Sequence, residues 1–169
     1  AMALAGEPDI LVADEPTTAL DVTIQAQILD LINTVRREMG MALVLISHDL
    51  GVIAETCDRV AVMYAGRIVE EAPAAELFDA PRHPYAQGLL NSLPPLGGPR
   101  RKLVSIPGVV PDPRALPKGC AFAPRCTQAA EICREVVPAL RHAATGRRVA
   151  CVFEPEVRAP VAERELELA

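Results

Sequence analysis

Asp14 and Glu15 stand side by side at the end of an apolar run in "ILVADEPTTALD" (10–21), and His48 follows a second apolar run in "MALVLISHDL" (41–50). One acid in such a place can hold Mg²⁺, usually through waters, because that ion dehydrates reluctantly. A second acid beside it can orient or deprotonate a water, and an imidazole can contact the group being cut. Together these groups suit phosphoryl transfer, where positioning and charge neutralisation do most of the work. The plainer reading is a capped turn at a strand exit and a structural histidine. Two features favour the chemistry: two strand ends carry these groups, and "TALD" comes right after the first.

The elements that must position them can be read from the pattern. "DILVAD" is a short apolar run bounded by Pro8 and Pro16, and "MALVLIS" is a second such run, so both suit buried strands. Neither alternates, as expected of parallel strands covered on both faces. Between them Ile24, Ile28, Leu31, Ile32 and Val35 recur at helical spacing over 22–39. Asp21 suits the N-cap of that helix, Arg36 and Arg37 its C-terminal dipole, and Gly40 its C-cap. "DLGVIAETC" reads as a short helix, and "RVAVMYAGRIVEEA" as two strands joined at Ala65-Gly66. The order β-α-β-α-β-β indicates an α/β layer architecture. In open α/β sheets ligands sit at the carboxyl ends of the strands, which is where Asp14, Glu15, Ser47, His48 and Asp49 fall.

Composition narrows the class. The chain has 169 residues with a formal net charge of −5, which argues against a nucleic-acid surface, where a basic patch is expected. Aromatics make up 3% and tryptophan is absent, so an aliphatic core is expected. Uninterrupted apolar runs such as Met41 to Ile46 are far short of the ~20 residues needed to cross a bilayer. No secretion signal opens the chain; "AMALAGEPD" reads like the end of a helix, so a segment is expected upstream. Of 16 prolines, 14 lie from Pro73 onward, and four of the five cysteines lie between Cys120 and Cys151. Regular packed structure is therefore expected over 1–72 and a looped appendage after it.

The paired acids, "TALD" and "VLISHDL" together resemble the Walker B motif, D-loop and H-loop of ABC-type ATPases. The spacing of 33 from Glu15 to His48 fits that family, and "DRVAVMYAGRIVEEA" resembles the segment that follows. The family more often has Ser where Thr18 stands. The resemblance covers roughly residues 1–72 and implies the C-terminal part of a P-loop NTPase core (RecA-like, ABC-type). It implies that Asp14 supports Mg²⁺, that Glu15 is the catalytic base, and that His48 contacts the γ-phosphate of ATP. It also implies that Asp21 belongs to a loop crossing a dimer interface. No G-x-x-x-x-G-K-[ST] loop or LSGGQ-type signature occurs, and the two lysines, Lys102 and Lys118, sit in no such loop. The expectation is therefore part of an ATP hydrolase that alone binds nucleotide weakly and does not turn it over.

The appendage carries a second resemblance. "ELFDAPRHPYAQGLLNSLP" (76–94) resembles the segment after the ATPase core in oligopeptide/dipeptide ABC importers, whose hallmark is His-Pro-Tyr, here 83–85. Its residues by themselves give only a Pro-bounded amphipathic helix with Leu89, Leu90 and Leu93 on the core. Cys120, Cys126, Cys133 and Cys151 follow at C-x₅-C-x₆-C-x₁₇-C spacing. Disulfides suit an even count but not a reducing cytosol. Structural zinc suits four thiolates but usually takes C-x₂₋₄-C pairs, and a 4Fe–4S cluster also takes four thiolates. Resemblance to importer subunits with a C-terminal cysteine motif implies the cluster, in a structural role. Cys57 reads as a small buried side chain, and Arg125, Arg134, Arg141, Arg147 and Arg148 as solvated surface. The expected organisation is 1–72 ATPase core, 73–116 His-Pro-Tyr extension, 117–154 four-cysteine module and 155–169 frayed tail.

The resemblance implies an ATP-binding subunit of a peptide importer, on the cytoplasmic face of the plasma membrane. It would dimerise with a second ATP-binding subunit, the same or different, and push on permease subunits, with no nucleic acid involved. Two other classes compete: an ABC-type ATPase acting on DNA, and a non-enzymatic metal-binding interaction module.

Overall fold

The structure is a computed structural model that describes residues 2–92, 105–144 and 146–153. It is a mixed α/β protein of two compact units, Ala1–Cys57 and Asp58–Ala169. The division falls after Cys57, so the strands read from "RVAVMYAGRIVEEA" lie in the second unit. The tail from 154 and Leu93 lie outside the described residues.

In the first unit a single 3-10 turn, Met2–Leu4, precedes β1 (Ile10–Asp14). The helix α1 (Val22–Met39) leads to β2 (Ala42–Ile46), and α2 (Leu50–Thr56) closes the unit. β1 and β2 pair in parallel, from Ile10 opposite Ala42 to Asp14 opposite Ile46. A parallel pair needs a crossover between its strands, and α1 is that crossover. The caps of α1 follow from local chemistry. The Asp21 carboxylate accepts the Thr23 and Ile24 N–H groups, and Gly40 takes the left-handed conformation at φ 65°, donating its N–H to the Arg36 carbonyl.

The expected burial of these strands on both faces is not what this unit provides. Leu11, Ala13, Leu43 and Leu45 are half-buried, while Ile10, Val12, Val44 and Ile46 are exposed, Val12 at 61%. The helical stripe divides in the same way: Ile28, Ile32 and Val35 are half-buried, whereas Leu31 and Ile24 are exposed. Alternate residues of a strand face opposite sides, and here only one side is covered.

The second unit is built on a four-stranded antiparallel sheet ordered β3-β4-β6-β5. β3 (Arg59–Tyr64) and β4 (Arg67–Pro73) form a hairpin around Ala65 and Gly66, both at positive φ, 47° and 77°. That is the two-residue turn whose twist matches the strands. The helices α3 (Ala74–Asp79) and α4 (Pro84–Asn91) follow. Next come a 3-10 turn at Ala123–Arg125 and α5 (Glu131–Glu135), and then β5 (Arg141–Ala144) and β6 (Arg147–Val149). The cysteine region is thus no separate appendage, because its last strand pairs Val149 and Arg148 with Glu70 and Glu71 of β4.

The core of this unit joins Val62, Tyr64, Val69, Ala72, Leu77, Ala86 and Phe122. The aliphatic expectation needs correction here. The rings of Tyr64, Tyr85 and Phe122, three of the chain's five aromatics, lie with centroids 4.7, 5.2 and 5.4 Å apart in this core. Arg147, Arg148 and Arg125 are also not simply solvated surface. Arg147 is 3% exposed, Arg148 pairs with Glu71, and Arg125 donates to the Pro107 and Ile106 carbonyls and to the Tyr64 hydroxyl. Cys57 is half-buried at the end of α2 rather than buried.

Candidate active site

The parallel register fixes which groups meet at the strand ends. Because Asp14 lies opposite Ile46, the next residue, Glu15, can extend the ladder, and its N–H donates to the Ile46 carbonyl at 2.8 Å. Glu15 turns sharply there, at φ 44°, a conformation that residues other than glycine rarely adopt. The turn is closed by the Thr18 N–H donating to the Glu15 carbonyl, 3.1 Å away.

That geometry brings Glu15 and His48 together across 33 residues. His48 Nδ1 lies 3.0 Å from Glu15 Oε1, and the Thr18 hydroxyl donates to Glu15 Oε2 at 2.6 Å. The Thr18 hydrogen bond and then the His48 contact hold the Glu15 carboxyl below its ordinary pKa. The site is open to water: the His48 side chain is 78% exposed and that of Glu15 43%.

The other acids divide between cap and open edge. Asp14 ends β1 with its side chain exposed. Asp21 is an N-cap, each of its two hydrogen bonds 3.0 Å long. Asp49 N-caps α2, accepting from Gly51 and Val52, and its other oxygen accepts from the Gln25 amide at 3.3 Å. Ser47 Oγ accepts the Asp49 N–H. The structure thus brings Glu15 into contact with both His48 and Thr18, the latter noted in the sequence only as standing where the family more often has Ser. Asp21 stays at the start of α1.

In the second unit Cys120, Cys126, Cys133 and Cys151 line one small cavity together with His83, Phe122 and Ala150. All four are free thiols. Backbone groups of Phe122 and Ala123 hydrogen-bond the Cys120 sulfur, those of Gln128 the Cys126 sulfur, and those of Phe153 the Cys151 sulfur. Burial outweighs these contacts and pushes the thiols of Cys120, Cys126 and Cys151 above their ordinary range. Among the described residues no group of three or more His, Cys, Asp and Glu has an arrangement that could hold a metal ion.

The His-Pro-Tyr segment also has a structural explanation. His83 is 2% exposed and caps α4, its Nδ1 accepting the Tyr85 N–H at 3.1 Å. Its ring also hydrogen-bonds the Ala150 backbone, and burial lowers its pKa to about 4. Beside it the wholly buried Glu70 carboxylate accepts from the Arg82 N–H and, at 2.7 Å, from the His83 N–H. Arg147 Nη1 lies 3.6 Å from Glu70. The same guanidinium donates to the Ala80 and Glu76 carbonyls, both at 2.6 Å, at the end of α3. Sequence reading missed this pair, since a glutamate within a strand gives no sign of being buried.

Comparison with known proteins agrees with the sequence resemblance. The model of the oligopeptide/dipeptide transporter C-terminal region matches residues 69–133. The chain is 55% identical over 158 residues to a probable peptide ABC transporter ATP-binding protein of Sinorhizobium fredii, covering 93% of this chain and 47% of the relative. It is 53% identical over 165 residues to a putative peptide import ATP-binding protein of Brucella ovis, covering 94% of this chain and 49% of the relative. Among solved structures it matches cbiO1 of Clostridium perfringens, part of the ABC transporter complex cbiONQ. That match has 32% identity and a TM-score of 0.41, over 44% of this chain and 30% of that one. The chain spans about half the length of the curated relatives it matches. Over most of its length the chain is thus similar to peptide ABC transporter ATP-binding proteins, and residues 69–133 match the C-terminal region of the oligopeptide/dipeptide transporter family.

Proposed function

We propose that the chain supplies half of an ATP-hydrolysing site in the ATP-binding subunit of an importer for oligopeptides or dipeptides. The observation that carries this reading is the contact between Glu15 and His48 at adjacent parallel strand ends, 3.0 Å apart and open to solvent. Glu15 accepts a proton from the attacking water, and each of its carboxylate oxygens keeps a lone pair free for that water beside its contact to Thr18 or His48. His48 contacts the γ-phosphate. The exposed carboxylate of Asp14 suits a hydrated Mg²⁺, which when bound neutralises phosphate charge. The fold reading behind these roles is a P-loop NTPase core, and Asp21 lies where its loop reaches a second ATP-binding subunit. Transmembrane permease subunits complete the assembly and hold it at the cytoplasmic face of the membrane. Among the described residues no helix is long and apolar enough to cross a membrane.

The test is Glu15→Gln in the full-length subunit. Removing a general base lowers turnover by about 10²–10⁴-fold, and an unchanged rate would overturn the role of Glu15. The two competing classes lose ground to the relatives, which are named for ATP binding and peptide transport.

The cysteine cavity carries the finer reading of a 4Fe–4S cluster, with Zn²⁺ as the alternative. Its support is the shared cavity and the backbone hydrogen bonds to three of its four sulfurs, which favour thiolates. Because ligands must lose their protons, loading is pH-dependent. Iron, sulfide and zinc content after anaerobic purification tests it. Brown protein with stoichiometric iron supports the cluster, zinc alone selects the alternative, and neither metal rejects both.

A further inference from the structure

Glu15 has three rotatable side-chain bonds and sits on an exposed turn, so nothing in its backbone fixes where its carboxylate points. Two hydrogen bonds do so in this structure, and they fall on different oxygens. His48 Nδ1 meets Oε1 at 3.0 Å, and Thr18 Oγ1 meets Oε2 at 2.6 Å. Gripping both oxygens sets the plane of the carboxylate as well as its position. The two grips differ in kind. His48 is a side chain from the neighbouring strand end and is 78% exposed, so it is free to turn towards a ligand. Thr18 belongs to the same turn as Glu15, closed by its own N–H on the Glu15 carbonyl at 3.1 Å, so its main chain is held beside Glu15 by backbone.

We propose that Thr18 is a positioning residue for the Glu15 carboxylate, holding Oε2 while Oε1 is left to exchange between His48 and the attacking water. The inference rests on Glu15 serving as the base.

Thr18→Val keeps the branched shape and removes the hydroxyl; Thr18→Ser keeps the hydroxyl. Both are made in the full-length subunit assembled with its partners, beside Glu15→Gln. Thr18→Val is expected to lower kcat about tenfold, the scale of one lost hydrogen bond to a charged group, with KM for ATP unchanged within about twofold. Thr18→Ser is expected to restore most of kcat. Wild-type kcat in Thr18→Val, equal slowing in Thr18→Ser, or a loss confined to KM would each overturn the proposal. If Glu15→Gln abolishes turnover while Thr18→Val does not, the positioning role alone falls. If Glu15→Gln keeps full turnover, the base falls and the positioning role with it.

Discussion

A glutamate and a histidine meet twice in this molecule, in opposite settings. In the first unit Glu15 and His48 touch through their side chains at a strand end facing water. In the second, Glu70 accepts the backbone N–H of His83 where both residues are buried. The exposed histidine has one ring nitrogen on Glu15 and most of its surface free. The buried one uses Nδ1 on the Tyr85 N–H and hydrogen-bonds the Ala150 backbone with its ring, so it has nothing left to offer a ligand. Residue type is the same in both places, and access to solvent decides whether the pair is suited to chemistry or to architecture.

The sharpest way to break this contrast is to make one substitution in both places. Glu15→Gln should abolish most turnover in the full-length subunit and leave the melting temperature unchanged. Glu70→Gln should do the reverse, because Arg147 and the Arg82 and His83 N–H groups then lose the charge they face. Breaking a buried pair destabilises by about 3–5 kcal/mol, to be read from denaturant unfolding. A stable Glu70→Gln protein would mean that the buried pair is no brace.

Acid sharpens the contrast next. In the unfolded chain the His83 ring protonates near 6.5, but in the folded chain only at about 4. The unfolded state therefore binds the extra proton first, and stability falls as pH drops from about 6.5 to about 4. A shift of that size corresponds to about 3 kcal/mol. His83→Gln should flatten that part of the stability profile; a slope that survives would assign it to other groups.

The smallest effect is expected from the rim of the second unit. Glu71 pairs with Arg59 at 2.8 Å and with Arg148, and these two arginines, Arg59 first, hold its carboxyl below the usual range. Its side chain and both partners are open to water in part, so Glu71→Ala should cost about 1 kcal/mol or less and less still at high salt. A loss as large as that of Glu70→Gln would erase the distinction between buried and surface pairs.

What could be read in advance was local. Asp21 and Gly40 cap α1 because a carboxylate accepts N–H groups and glycine tolerates positive φ, and both act within a few residues of themselves. The Ala65-Gly66 turn and the two strand ends were legible for the same reason. Glu70 and Arg147 are 77 positions apart and announce nothing separately; only the pairing of β4 with β6 makes them partners. Strand burial was misjudged because an apolar run tells that a strand wants cover, not that this unit supplies it. At the candidate site, Asp14, Glu15 and His48 stood out as chemical types. Thr18 did not, since a threonine hydroxyl has many ordinary uses and only its 2.6 Å bond gives it one here.

The Arg147 clasp has a consequence for the order in which the molecule is made. The first unit joins β1 to β2 through the helix that lies between them, so its strands pair within residues 10–46. The second unit cannot complete its sheet, nor satisfy Glu70 and the last carbonyls of α3, until a residue more than 60 positions later has left the ribosome. Non-local contacts of this kind form slowly, and domains fold in turn as the chain emerges. Until Arg147 is in place, Glu70 and the last carbonyls of α3 lack the guanidinium they face in the folded unit.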